Sequence, residues 1–255
     1  MWTLDRDATV PCWLPRDARP GAVLLFSTRR GGVSRAPYDT LNLGRSTADE
    51  PAAITTNRER LLSAAALEPD RLATAGQVHG ARVVEVSGPG HHAGCDALVT
   101  RTPGVVLAVT TADCMALLYR APGVVAVAHS GWRGTAGGMP VAALEAVCRL
   151  AGCAPDAVTV AIGPAIRGCC YEVGEDVAGH FPTAAVRITP GRPMLDLPTA
   201  AMLALREAGL APESLHDTGA CTCCEPALYF SHRRDHGLTG RHWGVAALEP
   251  DGGST

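Results

Sequence analysis

Apolar residues in this 255-residue chain fall into short runs separated by Gly, Pro and small polar residues, not into long amphipathic repeats. Two adjoining runs dominate: Gly104–Arg120 (GVVLAVTTADCMALLYR) and Gly123–Gly134 (GVVAVAHSGWRG). Their segments Val105–Val109 and Val124–Ala128 read as buried strands, because branched side chains pack well on a pleated surface. Further strands are expected at Ala22–Ser27, within Ala73–Val86 on either side of GQVHG, at Cys95–Thr100, Ala157–Ile162 and Trp243–Leu248. A helix start at Asp49-Glu50-Pro51 leads into a helix through Asn57–Ala66. A second helix runs from Met139 to about Ala151 with Val141, Leu144, Val147 and Cys148 on one face. A short helix finishes at Val177–Phe181, and Leu197–Gly209 is helical with a proline at its start. Gly88–Gly94 reads as a turn, Ile188–Leu197 as irregular, and the closing EPDGGST as disordered. Strands and helices interleave throughout without a linker, which predicts one α/β domain over residues 1–255 with its core at about 22–248.

Composition narrows the function classes. The chain is 47% hydrophobic with a formal net charge of −3, enough for a sizeable core and without the basic block that non-specific nucleic-acid binding needs. None of the 22 basic residues is lysine, which removes Schiff-base chemistry and a P-loop lysine. A bound anion must therefore meet arginine, histidine, a metal or backbone N–H groups. The opening MWTLDRDATVPCW has no apolar core of signal-peptide length, and no run is long enough to span a bilayer, so a cytoplasmic protein is expected. In that setting the ten cysteines read as reduced thiols or ligands.

Each dominant run ends in a small-residue turn carrying one reactive side chain, Cys114 in TTADC and His129 in AHSGWRG; GQVHG offers His79 in a similar frame. Side chains at strand ends are rigidly supported yet open to a ligand. We expect His79, Cys114 and His129 to meet around one metal ion. Two imidazoles and a thiolate suit zinc or copper, with a further position left open. The polar TTAD run, with Asp113 before Cys114, is costly at the end of an apolar strand unless those groups have partners. A competing arrangement makes Cys114 a nucleophile with His129 as its base, which leaves His79 unexplained. A non-catalytic alternative is a metal site or scaffold at Cys221, Cys223 and Cys224, joined by Cys169 and Cys170. Adjacent cysteines do not readily aim all their sulfurs at one ion without a tight turn, which counts against it. His91 and His92 are adjacent and expected to be wet. The loop TRRGGVS reads either as a solvated turn or as an arginine-bearing substrate loop.

TRRGGVS, PYDTLNLG, QVHG, CDALVT, TADC, AHSGWRG, IGPAIRGCCYEVGEDV and FSHRRDHGLTGR occur here in one order from about Phe26 to Leu248. In this the chain resembles the YfiH-like family, described both as multicopper polyphenol oxidoreductases or laccases and as purine nucleoside phosphorylases. The resemblance implies a single α/β (α+β) domain, a mixed β-sheet core flanked by helices, related in fold to deamidating toxins that use a Cys-His pair. It implies zinc or copper held by His79, Cys114 and His129, and phosphorolysis of adenosine, inosine and methylthioadenosine with deamination of adenosine. Within that scheme Asp113 or Glu175 moves the proton, Arg29, Arg133 or Arg233 grips phosphate, and Tyr38 and Asn42 meet ribose or base. Multicopper oxidation needs a His-rich cluster that no spacing among the nine histidines supplies. One metal ion with hydrolytic or phosphorolytic chemistry fits better. The chain departs from the family at Cys95, where alanine is common, and at His242-Trp243, where Met-Ala is common.

Overall fold

The long apolar runs are continuous because their strands are covered on both faces. The computed structural model describes residues 2–16, 21–189 and 191–250. Strands β1 (Trp2–Leu4), β2 (Cys12–Pro15) and β3 (Ala22–Ser27) precede helix α1 (Pro51–Ala64). Strands β4 (Leu72–Ala75), β5 (Val83–Glu85), β6 (Gly90–His92), β7 (Ala97–Thr100), β8 (Val106–Thr111), β9 (Met115–Ala121) and β10 (Val124–Ser130) follow. Helices α2 (Trp132–Ala136) and α3 (Met139–Ala151), strand β11 (Thr159–Ile162) and helix α4 (Glu175–Ala178) come next. The chain closes with β12 (Val186–Ile188), β13 (Pro193–Leu195), α5 (Leu197–Glu207), β14 (Leu215–Asp217) and β15 (His242–Leu248).

Where one mixed sheet was expected, there are two. A seven-stranded sheet has the order β1-β2-β3-β15-β8-β4-β6 and a six-stranded sheet the order β14-β11-β9-β10-β7-β5. Both are mixed, since β4 runs parallel to β8 and β6, β11 to β14 and β5 to β7, among otherwise antiparallel neighbours. Side-chain parity shows how they stack. Leu107 and Val109 of β8 pack with Ala116 and Leu118 of β9 and Val125 and Val127 of β10 in one core between the sheets. Their strand neighbours Val106 and Ala108 turn the other way, onto Leu61 and Leu62 of α1. Met115, Leu117 and Tyr119 of β9 turn likewise onto Leu144 and Val147 of α3 and Leu205 of α5. The layers are thus helix, sheet, sheet, helix. Each fully buried Val or Leu contributes about 1.5–3 kcal/mol of transfer free energy. The sheets approach closely at Gly244, where a Cβ would lie 2.6 Å from the Ala116 Cβ.

Most expected elements are present within a few residues, α3 over Met139–Ala151 included. That helix starts with Pro140 and ends at Gly152 in the left-handed region (φ 65°), where the Cys153 N–H caps the Cys148 carbonyl. Three expectations are corrected. The Gly88–Gly94 turn contains β6, a parallel edge strand on β4. The Pro-rich stretch from Ile188 contains the second half of a hairpin, with Val186 opposite Leu195. The EPDGGST tail is anchored at its start, where the Glu249 N–H donates to the Gly21 carbonyl; its residues 251–255 lie outside the described residues. No helix is long and apolar enough to cross a membrane.

Candidate metal centre

Cys114 sits where the chain leaves one sheet for the other. Only Ala112, Asp113 and Cys114 separate β8 from β9, and Asp113 turns the corner with φ 83°. This left-handed conformation is strained for a non-glycine residue, and the carboxylate holds it in place. Asp113 accepts the Thr222 hydroxyl at 2.6 Å, the Ser231 hydroxyl at 3.1 Å and the Arg233 backbone N–H at 2.7 Å. The partners that the polar TTAD run required are therefore in the C-terminal loops. Across β10, His129 lies opposite Ala116 and shares a face with Val125 and Val127, so its ring emerges between the sheets at the same end as Cys114.

A buried carboxylate, Asp96, places His79. Gln77 and His79 both have positive φ (52° and 61°), which turns successive N–H groups to one side of the loop. Val78, His79 and Gly80 donate those N–H groups to Asp96 at 3.0, 2.9 and 2.9 Å. The remaining partner of Asp96 is His129 Nδ1 at 2.9 Å. The Gln77 amide, in turn, pairs with both backbone groups of Thr110 at 2.6 and 2.8 Å, latching the loop onto β8. The His79 and His129 rings stand edge to face, centroids 4.8 Å apart, and one donor atom from each of His79, Cys114 and His129 lies within 4.8 Å of the others.

The electrostatics suit a cation. Burial pushes the Cys114 thiol up, but hydrogen bonds from His129 and His79 outweigh it and bring the group down to about 6. Burial lowers His129, and its bonds to Asp96 and Cys114 overcome this to raise it to about 9. Asp96, although buried, is held below the usual carboxylate range by His129 and the loop N–H groups. Without an ion, a thiolate, an imidazolium and a carboxylate thus stand in line. An ion in place of the shared protons leaves His129 bonded to Asp96 through Nδ1 and free to coordinate through Nε2, the second-sphere arrangement typical of metal-binding histidines. A Cβ at Gly131 would lie 2.8 Å from Cys114 Sγ and 3.3 Å from His79 Cδ2, so the backbone there leaves only the width of a glycine beside the donors. The donor set fits zinc or copper, and exposed His79 marks its open side.

Around the trio, the other candidates separate. Arg133 is exposed over the Trp132 ring at 4.3 Å. Arg233 is exposed over Tyr171 at 4.9 Å and donates to the Glu172 carbonyl. Trp132, Tyr171 and Arg233 line a cavity of about 380 Å³. Trp132 follows Gly131, whose backbone lies against the Cys114 sulfur and the His79 ring, which places the cavity beside the trio. A larger cavity of about 980 Å³ lies by Arg120–Gly123, at the far end of β9 from Cys114, without a metal-competent cluster among the described residues. Glu175 is exposed at the start of α4, between the cavity-lining Gly174 and Val177.

Three candidates are held in the fold instead. Arg29 donates to the Asp39 and Pro226 carbonyls, pairs with the Asp39 carboxylate and covers the Phe230 ring, so its guanidinium is tied into the fold, while Arg30 and Val33 of the same loop are exposed. Asn42 is fully buried, donating to Thr47 and Asp49 and accepting from the Gly44 and Arg241 N–H groups. Tyr38 is buried too, although Arg241 feels both it and Cys114. Sequence reasoning missed Asp96 and Tyr171. A charged residue entering the apolar strand ALVT was the available signal for Asp96.

The cysteine-rich turns also correct an expectation. Two tight turns do bring Cys169, Cys170, Cys221 and Cys224 together, with all four sulfurs within 4.8 Å of one another. His91 bonds the Thr74 hydroxyl at 3.2 Å and stays outside both clusters.

Comparison with known proteins gives the family and the fold. A family model described as "Multi-copper polyphenol oxidoreductase laccase" matches residues 23–249. A Deinococcus radiodurans protein named "Purine nucleoside phosphorylase" is 44% identical over 236 residues, 90% of each chain. The crystal structure of YlmD from Geobacillus stearothermophilus superimposes with a TM-score of 0.87 at 36% identity, covering 93% of this chain and 99% of that one. That of the Bacillus licheniformis hypothetical protein YfiH gives 0.89 at 29% identity, covering 96% and 99%.

Proposed function

This chain belongs to the YfiH family covered by the multi-copper polyphenol oxidoreductase laccase model, and we propose that it is a zinc-dependent purine nucleoside phosphorylase. Its substrates are adenosine, inosine and methylthioadenosine, split by phosphate into the base and (methylthio)ribose 1-phosphate, with deamination of adenosine to inosine as a second activity. The observation that carries this reading is the convergence of His79, Cys114 and His129 under the orienting Asp96, beside an open cavity with aromatic walls and exposed arginines. The relatives' names supply the substrate class.

When bound, the ion supplies a Lewis acid that polarises a substrate oxygen or lowers the pKa of a water. The chain supplies the rest. Arg133 and Arg233 hold phosphate, with no lysine to share the task. Trp132 and Tyr171, each with an arginine over one face, wall the space that the purine enters. In phosphorolysis a phosphate oxygen bonds to C1′ as the glycosidic C–N bond breaks, and the base leaves with a proton. In deamination water adds at C6 and ammonia leaves. Asp113 is held by three donors, which leaves Glu175 as the carboxylate to move the proton. Zinc is preferred to copper because, among the described residues, no His-rich cluster stands beside the trio to receive electrons.

One observation favours a second reading. Cys114, His129 and Asp96 are also arranged as a nucleophile, base and orienting acid, as in a cysteine hydrolase or amidase. Incubation with adenosine, with and without phosphate, separates the two. Adenine and ribose 1-phosphate formed only with phosphate, and lost on chelation, support the phosphorylase. Turnover that survives chelators, stops on alkylation and tolerates His79→Ala supports the hydrolase.

A further inference from the structure

Outside the trio, the largest gathering of soft donor atoms lies on two neighbouring turns, Gly168-Cys169-Cys170 and Cys221-Thr222-Cys223-Cys224. The sulfur of Cys169 is 3.5 Å from both Cys221 and Cys224, and that of Cys224 is 3.3 Å from Cys170. Two disulfides would need the sulfurs drawn into separate pairs, each at about 2.05 Å. Here Cys169 and Cys224 each have two near partners, and all four sulfurs lie within 4.8 Å of one another. Four thiolates around one tetrahedral zinc, with Zn–S about 2.3 Å, stand about 3.8 Å apart, close to the spacing seen.

The surroundings are those of a metal knuckle. Cys221 and Cys224 form a C-x-x-C pair, and the Cys221 sulfur accepts backbone N–H groups of Arg167, Cys223 and Cys224. Cationic side chains brace both turns: Arg187 donates to the Gly168 carbonyl, Arg234 to those of Thr222 and Cys223. A tetrathiolate zinc site carries net negative charge, which nearby guanidinium groups offset.

We propose that Cys169, Cys170, Cys221 and Cys224 form a second, structural zinc site, coordinatively closed and separate from the His79, Cys114 and His129 centre. Its position gives it a task. Between the second pair of ligands, Thr222 bonds the Asp113 carboxylate, and the first turn follows Ile166, whose N–H donates to the Asp113 carbonyl. Clamping the two turns together fixes the corner that presents Cys114.

The test uses full-length protein made without added metal and purified anaerobically. Native mass spectrometry of the wild type, of Cys114→Ser and of Cys169→Ser/Cys224→Ser counts zinc, and cobalt substitution of Cys114→Ser reports the ligands by absorption. Cys114→Ser should retain about one zinc and give the intense visible bands of tetrahedral cobalt tetrathiolate, while the double variant loses that ion. If the double variant does not fold, the cobalt spectrum of Cys114→Ser decides alone. A Cys114→Ser protein that binds neither zinc nor cobalt, or peptide mapping that finds these four sulfurs in disulfides, overturns the proposal.

Discussion

His129 donates through Nδ1 to Asp96 at 2.9 Å, and the same carboxylate collects the backbone N–H groups of Val78, His79 and Gly80. One side chain therefore orients one ring and carries the loop bearing the other. Asp96→Asn replaces an acceptor of four hydrogen bonds by an amide that must turn NH₂ towards one of those donors. Zinc affinity, measured by competition with a chromophoric chelator, should fall by about 10–100-fold, the range for second-sphere partners. An unchanged affinity would mean that Asp96 only supports the fold.

With the ion removed, Cys114 is the reactive thiol. Its group lies at about 6, against about 12 for buried Cys12 and about 11 for Cys148, both raised by desolvation. Alkylation of stripped protein at pH 7 should strike Cys114 ahead of those two, with a rate midpoint near pH 6 that rises in His79→Ala. Added zinc should protect it. Peptide mapping after limited alkylation gives the order directly.

Gly131 tests the steric side of the centre. Its φ of −83° suits any residue, so alanine meets no backbone strain, but its methyl would press on the Cys114 sulfur at 2.8 Å and the His79 ring at 3.3 Å. Gly131→Ala should fold, with a melting temperature close to wild type, yet bind metal weakly and turn over poorly. Gly244→Ala should destabilise the sandwich by about 1–3 kcal/mol through overpacking against Ala116, Leu118 and Phe26, with no donor atom among the contacts of the added methyl.

Much of this centre was legible in the chain. Strand ends carrying His or Cys in small-residue turns marked His79, Cys114 and His129. The two-sheet architecture was not legible, because a strand buried on both faces gives the same apolar run whichever sheet it joins. The three residues Ala112–Cys114 that carry the chain across look like an ordinary turn. Asn42 and Arg29 sit in polar loops that resemble ligand loops, yet their bonds run to residues nearly 200 positions away, Arg241 and Pro226. The adjacent cysteines were discounted on spacing, and only the turn geometry shows that all four sulfurs can converge.

His242 makes the fold acid-labile. It is fully buried, its Nε2 accepts the Phe230 N–H at 2.8 Å, and desolvation lowers its pKa from 6.5 to about 3. Below pH 6.5 the unfolded chain binds a proton that the folded chain refuses. Stability therefore falls as pH drops from 6.5 towards 3, by about 1.4 kcal/mol per unit, and the contribution is intact above 6.5. In urea titrations at several pH values, His242→Met should flatten this slope while losing about 1–3 kcal/mol at neutral pH for the unpaired N–H. A slope equal to wild type would assign the acid lability to other groups.

The central claim is that one ion held by His79, Cys114 and His129 is required for phosphate-dependent cleavage of a purine nucleoside. Stripped protein, wild type and His79→Ala, is titrated with zinc in the presence of inosine and phosphate while hypoxanthine release is followed. The account predicts release that rises with zinc in the wild type and stays absent in His79→Ala. Equal release from stripped protein, or from His79→Ala, would contradict it.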